Sequence, residues 1–344
     1  MNIKSLLLGS AAALVAATGA RAADAIVIAE PEPMEYVRIC DMYGAGFFYI
    51  PGTETCLKIG GYMRYEMRYD SRDVPLVRDY TFNKFARFQL NVDARNETEW
   101  GTLRSYAEGR FDWNSLTGNS AYLNQGFIEI QQSMGTLRIG KTDTAYARFL
   151  GYGSEFGPFD GAYAFNNSGE VSYTFNGGNG FSAILAVVER GTGEFEPAVE
   201  GGVNFAQGWG SIGAMVAYDT PAEEWGAKVV ARGNLGMVSL GAHVFYASAP
   251  GTIYSVDGAS EWSVLAHAKV AATDKLAVQA SVQWFDAQYA IYDDYWQVAG
   301  GLDWRPISGF RVMPEIRYTS ELDIGGVAIA DDRWEATIRF QRSF

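Results

Sequence analysis

The chain has 344 residues, 48% of them hydrophobic and 19% charged, with a net charge of −13. That acidic balance argues against a nucleic-acid-binding surface. A mean hydropathy of −0.08 excludes a bundle of membrane helices, but not strands that alternate between two solvents and average to neutral.

Lys4, the apolar run Leu6 to Ala17 and the small residues of Ala20-Arg21-Ala22 come in the order of a secretory signal peptide, predicted over residues 1–22. Cleavage removes two of the 27 basic residues and none of the 40 acids, leaving a net charge of −15. No later stretch reaches the roughly 18 apolar residues of a spanning helix. An exported chain without such a helix crosses a membrane only as a closed barrel. Residues 23–35 carry acids and prolines without a period and read as an exposed leader. Cys40 and Cys56, the only two cysteines, are expected to pair in that compartment. A metal site is disfavoured, because two thiolates and two distant histidines do not make four ligands.

Gly44-Ala45-Gly46 and Pro51-Gly52 supply turn chemistry between two short extended runs, so residues 23–56 are expected to form a leader and a disulfide-stapled hairpin. The stretch YVRICDMYGAGFFYIPGTETCLKIGGYMRYE, Tyr36 to Glu66, closely resembles the N-terminal signature of the alphaproteobacterial general porins, as does MNIKSLLLGSAAALVAA at the start. The resemblance implies an outer-membrane barrel, a homotrimer, and a third long loop that folds inward to narrow the lumen.

The residues carry the same fold on their own. From Leu57 to Asp70, Ile59, Met63, Tyr65, Met67 and Tyr69 oppose Lys58, Arg64, Glu66, Arg68 and Asp70. That is a strand with one apolar and one charged face. Phe82–Thr98 and Leu103–Phe111 repeat the pattern, with Arg87, Arg95, Arg104, Glu108 and Arg110 on the polar side. Tyr122–Gln132 and Phe181–Arg190 alternate poorly. Short turns are expected near Glu99–Gly101, Ser133–Gly135, Asn176–Gly180, Gln207–Gly210, Asn234–Met237, Ala271–Asp274 and Pro306–Gly309. Between them fall longer connections near Ser71–Tyr80, Asp112–Ser120, Thr142–Gly169, Arg190–Val199, Asp219–Glu224, Ala249–Ser260, Asp286–Asp294 and Ser320–Asp332.

Seven turns and eight loops separate about sixteen antiparallel strands. The prediction is an all-β, 16-stranded transmembrane β-barrel spanning residues 57–344. Its last strand, Arg333 to Phe344, alternates Trp334, Ala336, Ile338 and Phe340 with Arg333, Glu335, Thr337 and Arg339. It ends on a phenylalanine, which resembles the closing strand of bacterial outer-membrane barrels. A β-sandwich would instead bury a Leu/Ile/Val-rich face.

The connection Thr142–Gly169 is rich in glycine and aromatics (Tyr146, Phe149, Tyr152, Phe156, Phe159, Tyr163, Phe165), more than a solvated loop supports without something to pack on. It is expected to lie inside the barrel, its acids Asp143, Glu155 and Asp160 facing Arg64, Arg87, Arg104, Arg317 and Arg339 across a constriction. Such a transverse field orients water and small polar solutes and excludes bulky or apolar ones.

The expected function is therefore a water-filled outer-membrane channel for passive diffusion of ions and small hydrophilic solutes. The alternative is a substrate-specific channel for a sugar or oligopeptide, with the loop aromatics as a sliding surface. Catalysis is not expected: His243 and His267 are the only histidines and project to the polar face, and no G-x-S-x-G elbow occurs. No cofactor, metal or nucleic acid is implied. Expected partners are two further copies of the chain, outer-membrane lipid and lipopolysaccharide.

Overall fold

The computed structural model describes residues 38–71, 80–155, 157–290, 293–320, 322–324 and 327–344, with backbone alone for 323, 324 and 327–330. The expected signal peptide, the whole of the leader 23–35, the middle of the first loop and Phe156 lie outside the described residues. Ile39–Phe344 is one compact unit.

Sixteen long strands make it up: β1 (Cys56–Asp70), β2 (Thr81–Thr98), β3 (Gly101–Asn114), β4 (Gly118–Gln132), β5 (Gly135–Asp143), β6 (Asn167–Gly178), β7 (Phe181–Val188), β8 (Ala198–Gln207), β9 (Gly210–Asp219), β10 (Glu224–Leu235), β11 (Val238–Ala247), β12 (Trp262–Thr273), β13 (Leu276–Phe285), β14 (Tyr295–Ile307), β15 (Phe310–Thr319) and β16 (Arg333–Ser343). Each pairs antiparallel with its sequence neighbours, and β16 pairs with β1 from Glu335↔Asp70 to Ser343↔Tyr62, so the sheet closes on itself. Closure removes every edge, which lets a sheet face lipid.

The outer face exposes Ile59, Met63, Phe88, Ile128, Leu185, Val216, Val229, Val278 and Ile316, while Glu66, Glu108, Glu129, Asp303 and Glu315 are buried on the inner one. On the rim bearing the long connections, outward aromatics meet across strands. Ring centroids are 4.7 Å apart for Trp225–Tyr246, 4.8 Å for Tyr246–Trp262 and 4.9 Å for Tyr318–Trp334. Amphipathic rings at that level suit a lipid–water boundary.

Cys40 and Cys56 form a disulfide with Cα atoms 6.0 Å apart. Phe47, Tyr43 and Tyr49 pack around it, and Phe48–Tyr49 pairs with Leu57 and Cys56 of β1. The staple thus joins the segment before the barrel to its first strand.

One expected boundary needs correcting, and the two stretches expected to alternate poorly have structural causes. The connection expected over Asp112–Ser120 is only three residues, 115–117, because β3 and β4 run on to Asn114 and from Gly118. The poor alternation of 122–132 comes from a bulge: Glu108 faces Gln125 but Gly109 faces Leu123, so Asn124 is extra and the inward parity changes there. The polar-inside rule fails on β7, where Ile184, Ala186 and Val188 are buried while Leu185 and Val187 are exposed. Both faces of β7 are apolar, and the reason is the connection between β5 and β6.

Candidate functional site

That connection, residues 144–166, starts with a one-turn helix α1, Ala145–Arg148, capped by Thr144. Its first amides would be orphaned without outside acceptors. Ala145 N donates to Glu170 Oε2 on β6 (2.7 Å), and Tyr146 N to Glu200 Oε2 on β8 (2.5 Å). Arg148 Nε returns to the carbonyl of Asp143 at 3.0 Å, and its Nη2 reaches Ser172 Oγ at 3.0 Å and Glu170.

Tyr146, Leu150 and Ala164 then pack on Ile184, Ala186 and Val188 of β7, Ala198 of β8, Met215 and Ala217 of β9, and Val230 of β10. Tyr254, from the connection 248–261, closes this cluster. Its ring lies 4.8 Å from that of Tyr146, and its hydroxyl donates to Glu200 Oε1 at 3.0 Å. Lys228 Nζ sits 4.8 Å from the Tyr146 ring centroid.

The far part of the connection is held by polar groups on other strands. Arg232 of β10 donates to the carbonyls of Tyr152 and Gly153, and its Nη1 lies 3.0 Å from Glu155 Oε2. Phe159 N donates to Glu315 Oε2 on β15 at 2.8 Å, and Arg317 lies 4.5 Å over the Phe159 ring. Ala162 N donates to Gln283 Oε1 on β13, and Gln283 Nε2 donates back to Ala162 O, both at 2.8 Å. Gly157 permits this approach, since a Cβ there would stand 2.3 Å from Gln279 Nε2 and 2.5 Å from Glu315 Oε2.

The three expected acids have different surroundings. Asp143, at the end of β5, accepts from Asn167 Nδ2 (2.7 Å), Tyr152 OH (2.7 Å) and Gln125 Nε2 (3.3 Å), and is only 6% exposed. Glu155 pairs with Arg232, an arginine the polar-face reading did not single out although Lys228, Val230 and Arg232 share one face of β10. Burial pushes the Asp160 carboxyl up to about 6, against the opposing effects of a Tyr163 hydrogen bond and the Arg339 charge.

The expected arginines line the inner faces of β15, β16 and β1 to β3. Arg64 and Arg87 stand directly opposite each other on β1 and β2, a like-charge pair that needs outside compensation. Arg87 makes a two-pronged contact with Asp112, both bonds 2.8 Å. Arg64 has less: Gln341 Oε1 at 3.3 Å and Glu66 Oε1 at 3.7 Å. The same Glu66 takes Arg68 and Arg339, so three guanidiniums share one carboxylate. Arg104 bridges Asp93 and Glu129, both at 2.9 Å, and Arg317 bonds Glu335 at 2.7 Å. The structure thus gathers Arg64, Arg68, Arg87 and Arg339 on one stretch of wall, places Arg317 and Arg339 beside the loop segment 159–160, and keeps Arg104 with its own acids on β2 and β4.

A model of the porin subfamily matches residues 24–336. The chain is 42% identical over 382 aligned residues to porin Omp2b of Brucella neotomae, with all of both chains covered, and equally so to porin Omp2b of Brucella abortus. Among solved structures it is similar to the outer membrane channel DcaP of Acinetobacter baumannii, with a TM-score of 0.68 at 15% identity over 86% of this chain and 99% of that one. It is also similar to an anion-selective porin from Comamonas acidovorans, with a TM-score of 0.65 at 12% identity over 85% of this chain and 100% of that one. At such identities the structural likeness carries the fold alone.

Proposed function

The chain belongs to the porin subfamily, and from that membership we propose a general diffusion channel of the bacterial outer membrane whose water-filled path is narrowed by the connection 144–166. One observation supports the narrowing above the others. Gln283 lies on β13, eight strands from β5 in either direction around the sixteen, yet it holds Ala162 through two hydrogen bonds. A segment rooted on β5 and tied to the diametrically opposite strand crosses the barrel.

On this reading the sector β6–β13 is covered by the loop, and solutes pass along the wall formed by β15, β16 and β1 to β4. Arg64, Arg68, Arg87 and Arg339 would line that path on one side, with Glu155 and Asp160 on the other. Charge facing charge in a narrow, protein-walled aperture orders water across the path, which favours small polar solutes over apolar ones. Asp143 acts as the loop's foot, through its bonds to Tyr152 and Asn167, more than as a charge facing the path.

The assembly is read as a homotrimer in contact with lipopolysaccharide. Small outward side chains at Ala231, Ala242, Ala266, Ala268 and Ala280 leave a shallow apolar groove on β10–β13 that a neighbouring barrel can approach closely. The function is conduction, not catalysis.

The test is the purified protein in planar bilayers under a salt gradient. Discrete conductance steps without saturation or block by common sugars support general diffusion. Concentration-dependent block by one sugar or peptide would favour the substrate-specific reading, with Tyr152, Tyr163 and Phe165 as its surface. No current at all would remove both.

A further inference from the structure

The chain's two histidines are not used by the channel described above. His243 on β11 and His267 on β12 both point inward, 1% and 6% exposed, and their Nε2 atoms face each other at 3.2 Å. We propose that this pair is a chelate for a divalent transition-metal ion of the Zn2+, Ni2+ or Cu2+ class, set in the barrel wall beneath the loop segment 152–155.

Three observations carry the proposal. The first is the spacing. Two metal–imidazole bonds of about 2.0–2.1 Å at a tetrahedral angle put their nitrogens roughly 3.3–3.4 Å apart. The observed separation is within the tolerance of about 0.2 Å expected of such a site. The second is the space made for it. Position 241, directly across from His267, is glycine, and a Cβ there would lie 2.1 Å from His267 Nε2. Any other residue would push that imidazole away from its partner.

The third is the surrounding charge. Arg232 and Lys228 of β10 are the cations near the pair and would repel a metal, but each is balanced. Arg232 meets Glu155 at 3.0 Å and the loop carbonyls, while Lys228 lies over the Tyr146 ring with Glu200 acting on its charge. Among the described residues, the side chains opposite or against the two rings are neutral, namely Val230 of β10, Phe245 of β11, Leu265 of β12 and Ser281 of β13, while Lys269, two residues along the same face of β12, is held by Asp303 at 2.7 Å.

Without metal, one imidazole donates its Nε2 proton to the other. Metal binding needs both Nε2 lone pairs, so the donor ring shifts its proton to Nδ1 and no net proton is released. Among the described residues no group of three or more His, Cys, Asp or Glu side chains is placed to hold a metal. The two imidazoles alone set the affinity, which is that of a two-ligand site. Zn2+ and Cu2+ both suit imidazole, and Cu2+ binds more tightly in the Irving–Williams order, which makes it the better probe.

The experiment is Cu2+ titration of the detergent-solubilised, full-length barrel, read by electron paramagnetic resonance. The expected result is one bound Cu2+ per chain with coupling to two imidazole nitrogens. H243N and H267N should each weaken binding about tenfold or more. G241A keeps both ligands but displaces one ring, and should weaken binding too. Metal-free conductance of each variant in bilayers shows that the barrel has formed. Absence of nitrogen coupling in the wild type overturns the proposal. So does its persistence in H243N/H267N, or undiminished Cu2+ binding by a conducting G241A.

Discussion

Asp160 shows how one residue's surroundings set what it can do in a pore. Burial raises its carboxyl from an ordinary 3.8 to about 6, so it is largely neutral at pH 5 and charged at pH 7. The reversal potential under a salt gradient should therefore move toward cations as pH rises through about 6, and D160N should abolish that movement. The stability linkage has a definite sign. With its folded value raised, Asp160 supports the docked loop fully below about pH 4, and that support is lost as pH rises through about 6. Glu66 acts in the other direction. It is fully buried and is shared by Arg64, Arg68 and Arg339. E66Q should shift the reversal potential toward anions and lower stability by about 1–3 kcal/mol, the cost of leaving the half-buried Arg64 and Arg339 without their carboxylate. An unchanged reversal potential would place those arginines outside the conducting path.

At the scale of elements, the loop's packing separates apolar from polar contributions. Tyr146 is completely buried against Tyr254, Met215 and the β7 side chains, yet its hydroxyl has no hydrogen-bond partner among the described residues. Y146F should leave thermal stability unchanged or slightly raised, since it removes an unsatisfied buried group. Y146A should cost about 3 kcal/mol from the cavity it opens, and should raise current noise as the loop loosens. Equal losses from both would mean that the hydroxyl has a role this packing does not give it.

Much of this element was legible in advance. An apolar, glycine-rich stretch of such length needs a surface to pack on, and the aromatic residues said so. Its anchors were not legible, because Glu170, Glu200, Gln283 and Glu315 look like any other polar residue on an alternating strand. Only the pairing order brings them to one segment. Arg232 escaped notice for the same reason, being, like Lys228, a polar residue on the inner face of an alternating strand.

For the whole molecule, alternation and turn chemistry were enough to count sixteen strands and to place all seven short turns. The two stretches that resisted were β4 and β7, and each has its own cause. At Asn124 a bulge resets the parity within one strand, and no periodicity argument can read through an inserted residue. On β7 the inner face is as apolar as the outer because the loop lies over it, so the polar signal vanishes. The same local exception therefore marks both the failure of the pattern and the place where residues 144–166 pack on the wall.

On the proposed reading, residues 144–166 narrow the lumen and leave a path along the arginine-bearing wall. Single-channel conductance tests it most directly, comparing the wild type with a variant in which 153–161 are replaced by a short Gly-Ser linker. The expected result is a severalfold larger conductance and a wider range of admitted solutes, with the barrel still resistant to detergent. A conductance equal to that of the wild type, from an intact barrel, would contradict it.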